Sequence, residues 1–334
     1  MMKITKKITL VMLLLGAAFG GVQAQDINFS QFYANPLYLN PAFAGAKVAP
    51  RVSLSYRYQW PDLVNAYSTV AASYDQYVNP LHGGVGLYLM TDRQGDHTAL
   101  KTSTVGAMYA FNFRVFEEIR LSAAFQAGII NTSLTWDDNL RFMDQIDPIT
   151  GYVYHTQATM PDNTSITRED ISAGLLVYST AWYAGFAAQH ITQPSLGFYG
   201  EYRLGTKFTA HAGGLINLAQ EARRTSSLGL GSPVISPNIV YQLQEGFSCL
   251  NYGVYLDWMP FTVGMWYRHS LENSDAFIFQ LGVQYDYLKI GYSYDVTVSK
   301  LANNTGGAHE ITLGFMLPTP NMKHKVKAVR CPSF

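Results

Sequence analysis

Between residues 51 and 317 apolar side chains recur at every second position, and the two faces this creates differ in size as well as in polarity. Val52, Leu54, Tyr56, Tyr58 and Trp60 share one side of an extended chain, while Arg51, Ser53, Ser55, Arg57 and Gln59 share the other. Leu250, Tyr252, Val254, Leu256 and Trp258 oppose Asn251, Gly253 and Asp257, and Phe261, Val263, Met265 and Tyr267 oppose Thr262, Gly264 and Arg268. Phe277, Phe279, Leu281, Val283 and Tyr285 oppose Gln280, Gly282, Gln284 and Asp286. Ile290, Tyr292, Tyr294 and Val296 oppose Lys289, Gly291, Ser293, Asp295 and Thr297, and Ile311, Leu313, Phe315 and Leu317 oppose Glu310, Thr312 and Gly314. One such strand fits any half-wetted antiparallel sheet. A large aromatic face against a small or charged one, strand after strand, is the pattern of a transmembrane barrel. In lipid every backbone group must pair internally, so the sheet closes on itself. The competing arrangement is a soluble sandwich whose apolar faces meet.

Composition agrees with the barrel. Only 14% of the 334 residues are charged, against about 25% in an ordinary soluble domain. The 48% hydrophobic content excludes disorder, and two cysteines exclude a disulfide scaffold. With 23 basic and 23 acidic residues there is no positive excess for phosphate, so no nucleic-acid partner is expected.

Lys3, Lys6 and Lys7 precede an apolar run from Ile8 to Phe19 and a small-residue stretch ending Val22-Gln23-Ala24. This reads as a secretory signal, 1–24, cleaved after Ala24. The run is short of the roughly 20 apolar residues a spanning helix needs. The mature chain then divides into a segment 25–50 without strand periodicity, a barrel 51–317, and a basic tail 318–334. Residues 25–50, rich in Asn, Pro and aromatic side chains, are long enough to fold into the barrel mouth as a plug.

Fourteen strands are expected, at 51–60, 66–76, 83–91, 101–113, 117–132, 169–178, 181–190, 205–218, 226–242, 246–258, 261–269, 275–286, 287–297 and 307–317. The ninth is interrupted by Pro233 and Pro237, and Pro belongs at edges or bulges. Alternate connections are short, as at Asn79-Pro80-Leu81, Ser179-Thr180 and Met259-Pro260, and the intervening ones include the long 133–168, 191–204 and 299–306. Bacterial barrels have short periplasmic turns and longer outside loops, which predicts periplasmic N- and C-termini. Cys249 and Cys331 then fall on opposite sides of a hydrocarbon layer of roughly 30 Å. No bridge between them is expected.

The opening Gln25-Asp26-Ile27-Asn28-Phe29-Ser30-Gln31-Phe32, followed by Asn35-Pro36-Leu37-Tyr38-Leu39-Asn40-Pro41-Ala42-Phe43-Ala44-Gly45, closely resembles the start of the PorP/SprF membrane proteins of the Bacteroidota type IX secretion system. Tyr56-Arg57-Tyr58-Gln59-Trp60, the His190 to Pro194 stretch, Tyr292-Ser293-Tyr294-Asp295, Gly307-Ala308-His309-Glu310-Ile311 and Arg330-Cys331-Pro332-Ser333-Phe334 resemble later blocks of that family, in order. The resemblance implies a non-enzymatic barrel in the outer membrane of a Gram-negative bacterium. Its implied work is to bind and anchor, or to support export of, an adhesin-type surface cargo with a C-terminal sorting domain, together with other components of the machinery. Gliding motility is implied where the cargo serves it. The competing function is a porin-like channel for small solutes or hydrophobic compounds.

The eight histidines show no metal-ligand spacing, and neither a catalytic residue nor a metal or cofactor site is readable. His97, beside Asp92 and Asp96, is the only candidate for rim chemistry, and Asp96-His97 as sequence neighbours on a strand would point to opposite faces. Asp137, Asp138, Asn139, Asp144 and Asp147 lack calcium-loop spacing and read as turn chemistry. Three groups are singled out instead. Asp26, Phe29, Gln31, Asn35, Pro36, Asn40, Pro41 and Gly45 carry the plug and family motif. Arg51, Arg57, Asp257, Arg268, Asp286, Lys289, Asp295 and Glu310 line the lumen with both signs, as ion pairs or as a hold on the plug. Lys323, Lys325, Lys327 and Arg330 in the tail suit docking to a periplasmic partner or to anionic outer-membrane lipid.

Overall fold

The structure is a computed structural model and describes residues 26–318 except 48, 64–65, 96–98, 137–139, 141, 148, 219–232, 271–273 and 299–304. The segment 1–24 expected to be a signal, His97, the 137–139 group, Cys331 and the basic tail with Lys323, Lys325, Lys327 and Arg330 lie outside the described residues.

Among the described residues fourteen long antiparallel strands, with the two-residue strand Ile216–Asn217 alongside, form one closed sheet. They are β1 Arg51–Gln59, β2 Tyr67–Val78, β3 Gly83–Gln94, β4 Leu100–Arg114, β5 Arg120–Leu134, β6 Ser165–Tyr178, β7 Trp182–Gln189, β8 Lys207–Gly214, β9 Val234–Gln244, β10 Phe247–Trp258, β11 Phe261–Ser270, β12 Ser274–Tyr285, β13 Leu288–Thr297 and β14 Ala308–Met316. Each pairs with its neighbours in sequence, and β14 closes on β1 with Arg51 opposite Met316 and Gln59 opposite Ala308. Closure leaves the sheet without an open side, as hydrocarbon surroundings require.

The faces divide as the alternation predicts. Leu54, Val70, Leu89, Phe125, Phe186, Phe279 and Leu281 project outward and are exposed, while Ser55, Thr69, Gln126, Thr209, Gln280 and Ser293 are buried inside. Polar within and apolar without is the inverse of a soluble domain and overrules the sandwich. An apolar surface this continuous belongs in lipid. Among the described residues no helix is long and apolar enough to cross a membrane.

Boundaries differ in detail. β5 starts at Arg120 rather than 117 and β6 at Ser165 rather than 169. β9 is described from Val234, the expected start at 226 lying outside the described residues, and it contains Pro237. In the register that pairs Gly213 with Asn238 and Ile216 with Ile235, Pro237 falls opposite Gly214 and has no N–H to offer. Ser236 Oγ donates to the Gly214 carbonyl at 2.8 Å in its place.

The long connections, 60–66, 95–99, 135–164, 190–206 and 298–307, gather at one end of the barrel, hereafter the long-loop end. Glu245-Gly246, a two-residue turn with φ of +47° and +87°, is a short exception there. The opposite, turn end holds 79–82, 115–119, 179–181, 259–260 and 286–287, with the connection between β8 and β9 as its long exception. β1 begins and β14 ends at the turn end, where the Leu317 N–H donates to the Pro50 carbonyl at 2.9 Å. Asp26 lies at the long-loop end, beside His190, Lys207 and Gln244. Asp26, the first described residue, thus stands at the end of the barrel opposite the one where β14 ends. Strand parity fixes where the barrel starts and stops, and the residues before β1 run through the lumen.

Candidate functional site

The segment from Asp26 to Pro50 occupies the interior. Residues 29–37 and 39–46 are buried, with Ser30, Gln31, Asn40, Ala42 and Ala44 fully so. Local sequence shapes it. Pro36 opens a single helical turn, α1 Pro36–Leu39, at a position where its missing N–H costs nothing. Asn40 ends that turn and starts the next one, Pro41–Phe43, its side chain accepting from the Ala42 N–H at 2.9 Å. Gly45 takes a φ of +66° as the chain turns toward β1.

Four sets of wall residues hold the segment. At the long-loop end, Asp26 Oδ2 lies 2.8 Å from His190 Nε2 and 3.8 Å from Lys207 Nζ, and its N–H donates to Gln244 Oε1 at 3.1 Å. Around Ser30 and Gln31, Arg57 pairs with Asp295 at 3.1 Å and Glu310 at 3.2 Å, while Arg268 pairs with Asp295 at 3.1 Å. Glu310 accepts the N–H of Ser30 at 2.7 Å and of Gln31 at 3.3 Å, and Thr312 Oγ1 donates to Gln31 Oε1 at 2.7 Å. Asn40 Nδ2 donates to the Leu175 and Phe186 carbonyls at 3.0 and 3.3 Å and lies 3.1 Å from His211 Nε2. At the turn end Asp75 takes the Gly45 N–H at 2.9 Å and pairs with Arg51 at 2.8 Å. Asn35 Oδ1 accepts from Ser55 Oγ at 2.7 Å.

Apolar packing fills the rest. Phe29 meets Tyr38 edge to face at 5.2 Å, Phe32 lies 5.0 Å from Trp266, Tyr33 meets Tyr183 at 5.7 Å and Phe43 stacks on His211 at 5.2 Å. This barrel therefore keeps its hydrophobic core inside the lumen, built jointly by segment and wall.

Of the eight expected lumen charges, Arg51, Arg57, Arg268, Asp295 and Glu310 are joined in these ion pairs. Asp257 accepts from Thr262 Oγ1 at 2.7 Å and, with the half-buried Lys289, stands near the turn end of the lumen wall, apart from the Ser30 cluster. Asp286 is a correction. It is exposed in the turn after β12 with a φ of +51°, because the strand ends at Tyr285 and alternation no longer governs the next side chain. Asp75, His190, Lys207, His211 and Asp170 escaped sequence reasoning. Asp75 shares its strand face with Thr69, Ala71 and Ser73, which is a legible signal, whereas His190 meets an aspartate 164 residues away that no spacing rule reaches.

His190, just past β7, also approaches Asp170 through Nδ1 at 3.1 Å. Burial opposes the charged imidazole, but the carboxylates of Asp26 and Asp170 override it and hold its pKa up at about 10. In the loop 135–164 Asp147 accepts the Ile149 and Thr150 N–H groups, each at 2.9 Å, and those bonds lower its carboxyl to about 2. Among the described residues no group of three or more His, Cys, Asp or Glu is placed to hold a metal.

A closed 14-strand barrel with an apolar belt and an occupied, ion-paired lumen is a bacterial outer-membrane protein. The chain belongs to the PorP/SprF family of type IX secretion system membrane proteins, whose profile matches residues 21–315. No curated protein matches the sequence. Among solved structures it is similar to the toluene transporter TbuX of Ralstonia pickettii, at 10% identity, 84% of this chain and 92% of that one, with a TM-score of 0.51. It also matches outer membrane protein Omp33 of Acinetobacter baumannii at 8% identity, 81% of this chain and 100% of that one, with a TM-score of 0.41. At such identities the likeness to TbuX shows the fold alone. The family is a secretion-system barrel and not a known enzyme family.

Proposed function

We propose that this barrel serves type IX secretion as a sealed binding platform, anchoring or supporting the export of an adhesin-type surface cargo with a C-terminal sorting domain. The observation that carries the reading is the lumen segment. Residues 29–46 are packed among wall residues and hydrogen-bonded to wall side chains that are themselves ion-paired, an arrangement suited to a plug and not to solute flow. Asp26, Phe29, Gln31, Asn35, Pro36, Asn40, Pro41 and Gly45 are its structural residues, and Arg51, Arg57, Arg268, Asp295 and Glu310 retain it. On this reading residues 1–24 are a cleaved signal. The 135–164 loop faces the cargo, and Lys323, Lys325, Lys327 and Arg330 dock to machinery components on the other side. Gliding is involved where the cargo is a gliding adhesin.

A solute channel would need the plug to leave. Deleting the gene and comparing the cell-surface proteome tests the platform. Loss of one or a few sorting-domain proteins from the surface, restored by the wild-type gene, is the expected result, and an unchanged surface proteome contradicts it.

A further inference from the structure

The plug is not held equally along its length. At Ser30 the pairing side chains of Arg57 and Glu310 are 2% and 0% exposed. At the amino end Asp26, Ile27 and Asn28 are only half-buried, and the Asp26 and His190 side chains are 15% and 12% exposed. Opening of such an end is the least costly local fluctuation a packed segment has.

The groups that Asp26 meets belong to the wall. His190 Nδ1 stands 3.1 Å from Asp170 Oδ1, and Lys207 Nζ donates to the hydroxyl of the plug residue Tyr38 at 3.0 Å and lies 4.6 Å from its ring centre. Gln244 Nε2 donates to the Gly205 carbonyl at 3.1 Å, which leaves Oε1 turned to the Asp26 N–H. With Asp26 gone, His190 and Lys207 would both lose the carboxylate they share. A second observation marks the same place. A cavity of about 10 Å³ lies against Asp26, Asn28, Lys207 and Gln242, and the buried Asn28 Oδ1 and Gln242 Oε1 have no hydrogen-bond partner.

We propose that His190, Lys207 and Gln244 form a carboxylate-binding site at the long-loop mouth, that Asp26 occupies it as an intramolecular stand-in, and that the carboxylate of an extended partner segment replaces it. The inference rests on the reading of the barrel as a binding platform and names the chemistry of one contact. An intramolecular carboxylate competes at an effective concentration near millimolar, so an incoming segment succeeds only when other contacts hold it nearby.

Asp26→Ala, purified as the full chain in detergent, should show a saturable rise of a few degrees in its unfolding midpoint with sodium acetate over sodium chloride at equal ionic strength. Wild type should not respond, and His190→Gln in the Asp26→Ala background should abolish the rise. Hydrogen exchange on the wild-type protein gives a readout that needs no variant: the Ile27 and Asn28 amides should exchange faster than those of Ser30 and Gln31. Equal acetate response in wild type and Asp26→Ala, no response in either, or equal protection of the two amide pairs would overturn the proposal. Acetate binding is read without cargo, so its failure is distinct from failure of the platform reading.

Discussion

The Ser30 hydroxyl donates to Asp295 Oδ2 at 2.6 Å across 265 residues of sequence. The same Asp295 oxygen receives Arg57 and Arg268, each at 3.1 Å, and Glu310 takes the Ser30 backbone. Two guanidinium groups and two carboxylates thus balance in a buried cluster whose centre is the plug. A buried charge is tolerated only when paired and hydrogen-bonded, so wall and plug depend on one another.

Removing one member of this cluster strands the others. Arg57→Ala is expected to destabilise the barrel by about 3–5 kcal/mol, the scale for breaking a buried pair from one side. Arg57→Met with Glu310→Gln should cost less than the sum of the two single changes, because the double variant leaves fewer unpaired charges. Urea unfolding in lipid vesicles measures both.

Gly84 offers a steric test. A Cβ there would meet the Ala44 carbonyl and the Gly45 nitrogen, which are backbone atoms and have little room to yield. Gly84→Ala should therefore push the plug from β3 at a cost of about 1–3 kcal/mol. Gly200, around which nothing lies within 4 Å, is the control, and Gly200→Ala should leave the unfolding curve unchanged.

The pH dependence of the Asp26 clasp has a definite sign. His190 is raised from 6.5 to about 10, so the stability it contributes is complete below about 6.5 and is lost as pH rises through about 10. Hydrogen exchange at residues 26–28 should accelerate across that window, relative to the intrinsic rate, in wild type and not in His190→Asn. Asp147 runs the other way. Its lowered pKa means that its contribution to the loop turn is present above 3.8 and fades as pH falls through about 2.

The 135–164 loop is expected on the cell surface. Thr159, whose carbonyl accepts from Tyr199 at 2.6 Å, joins it to the 190–206 loop at the long-loop end. An epitope inserted beside Thr159 should bind antibody on intact cells. Access only after permeabilisation would reverse the assignment of sides.

What was legible in the sequence follows from what lipid and lumen demand of each strand. A barrel wall must alternate, so Leu54 and Tyr56 against Ser55 and Arg57 already assign β1 its two faces, and the same pattern placed Arg268, Asp295 and Glu310 inside. Alternation gives the direction of a side chain and not its partner, so the meeting of Ser30 with Asp295, or of Asp26 with His190, was out of reach. It also misled at Asp286, where the strand had ended. The lack of strand periodicity in 25–50 pointed to a plug, but its course through the lumen depends on wall residues from Ser55 to Thr312, which only closure of the barrel brings together.

The central claim is that the plug seals the barrel, and single-channel recording of the purified full-length protein in a planar bilayer tests it most directly. The wild-type protein should be nearly silent, with Gly84→Ala showing intermittent steps as the plug shifts. A steady, porin-sized ohmic conductance from the wild-type protein would contradict the account.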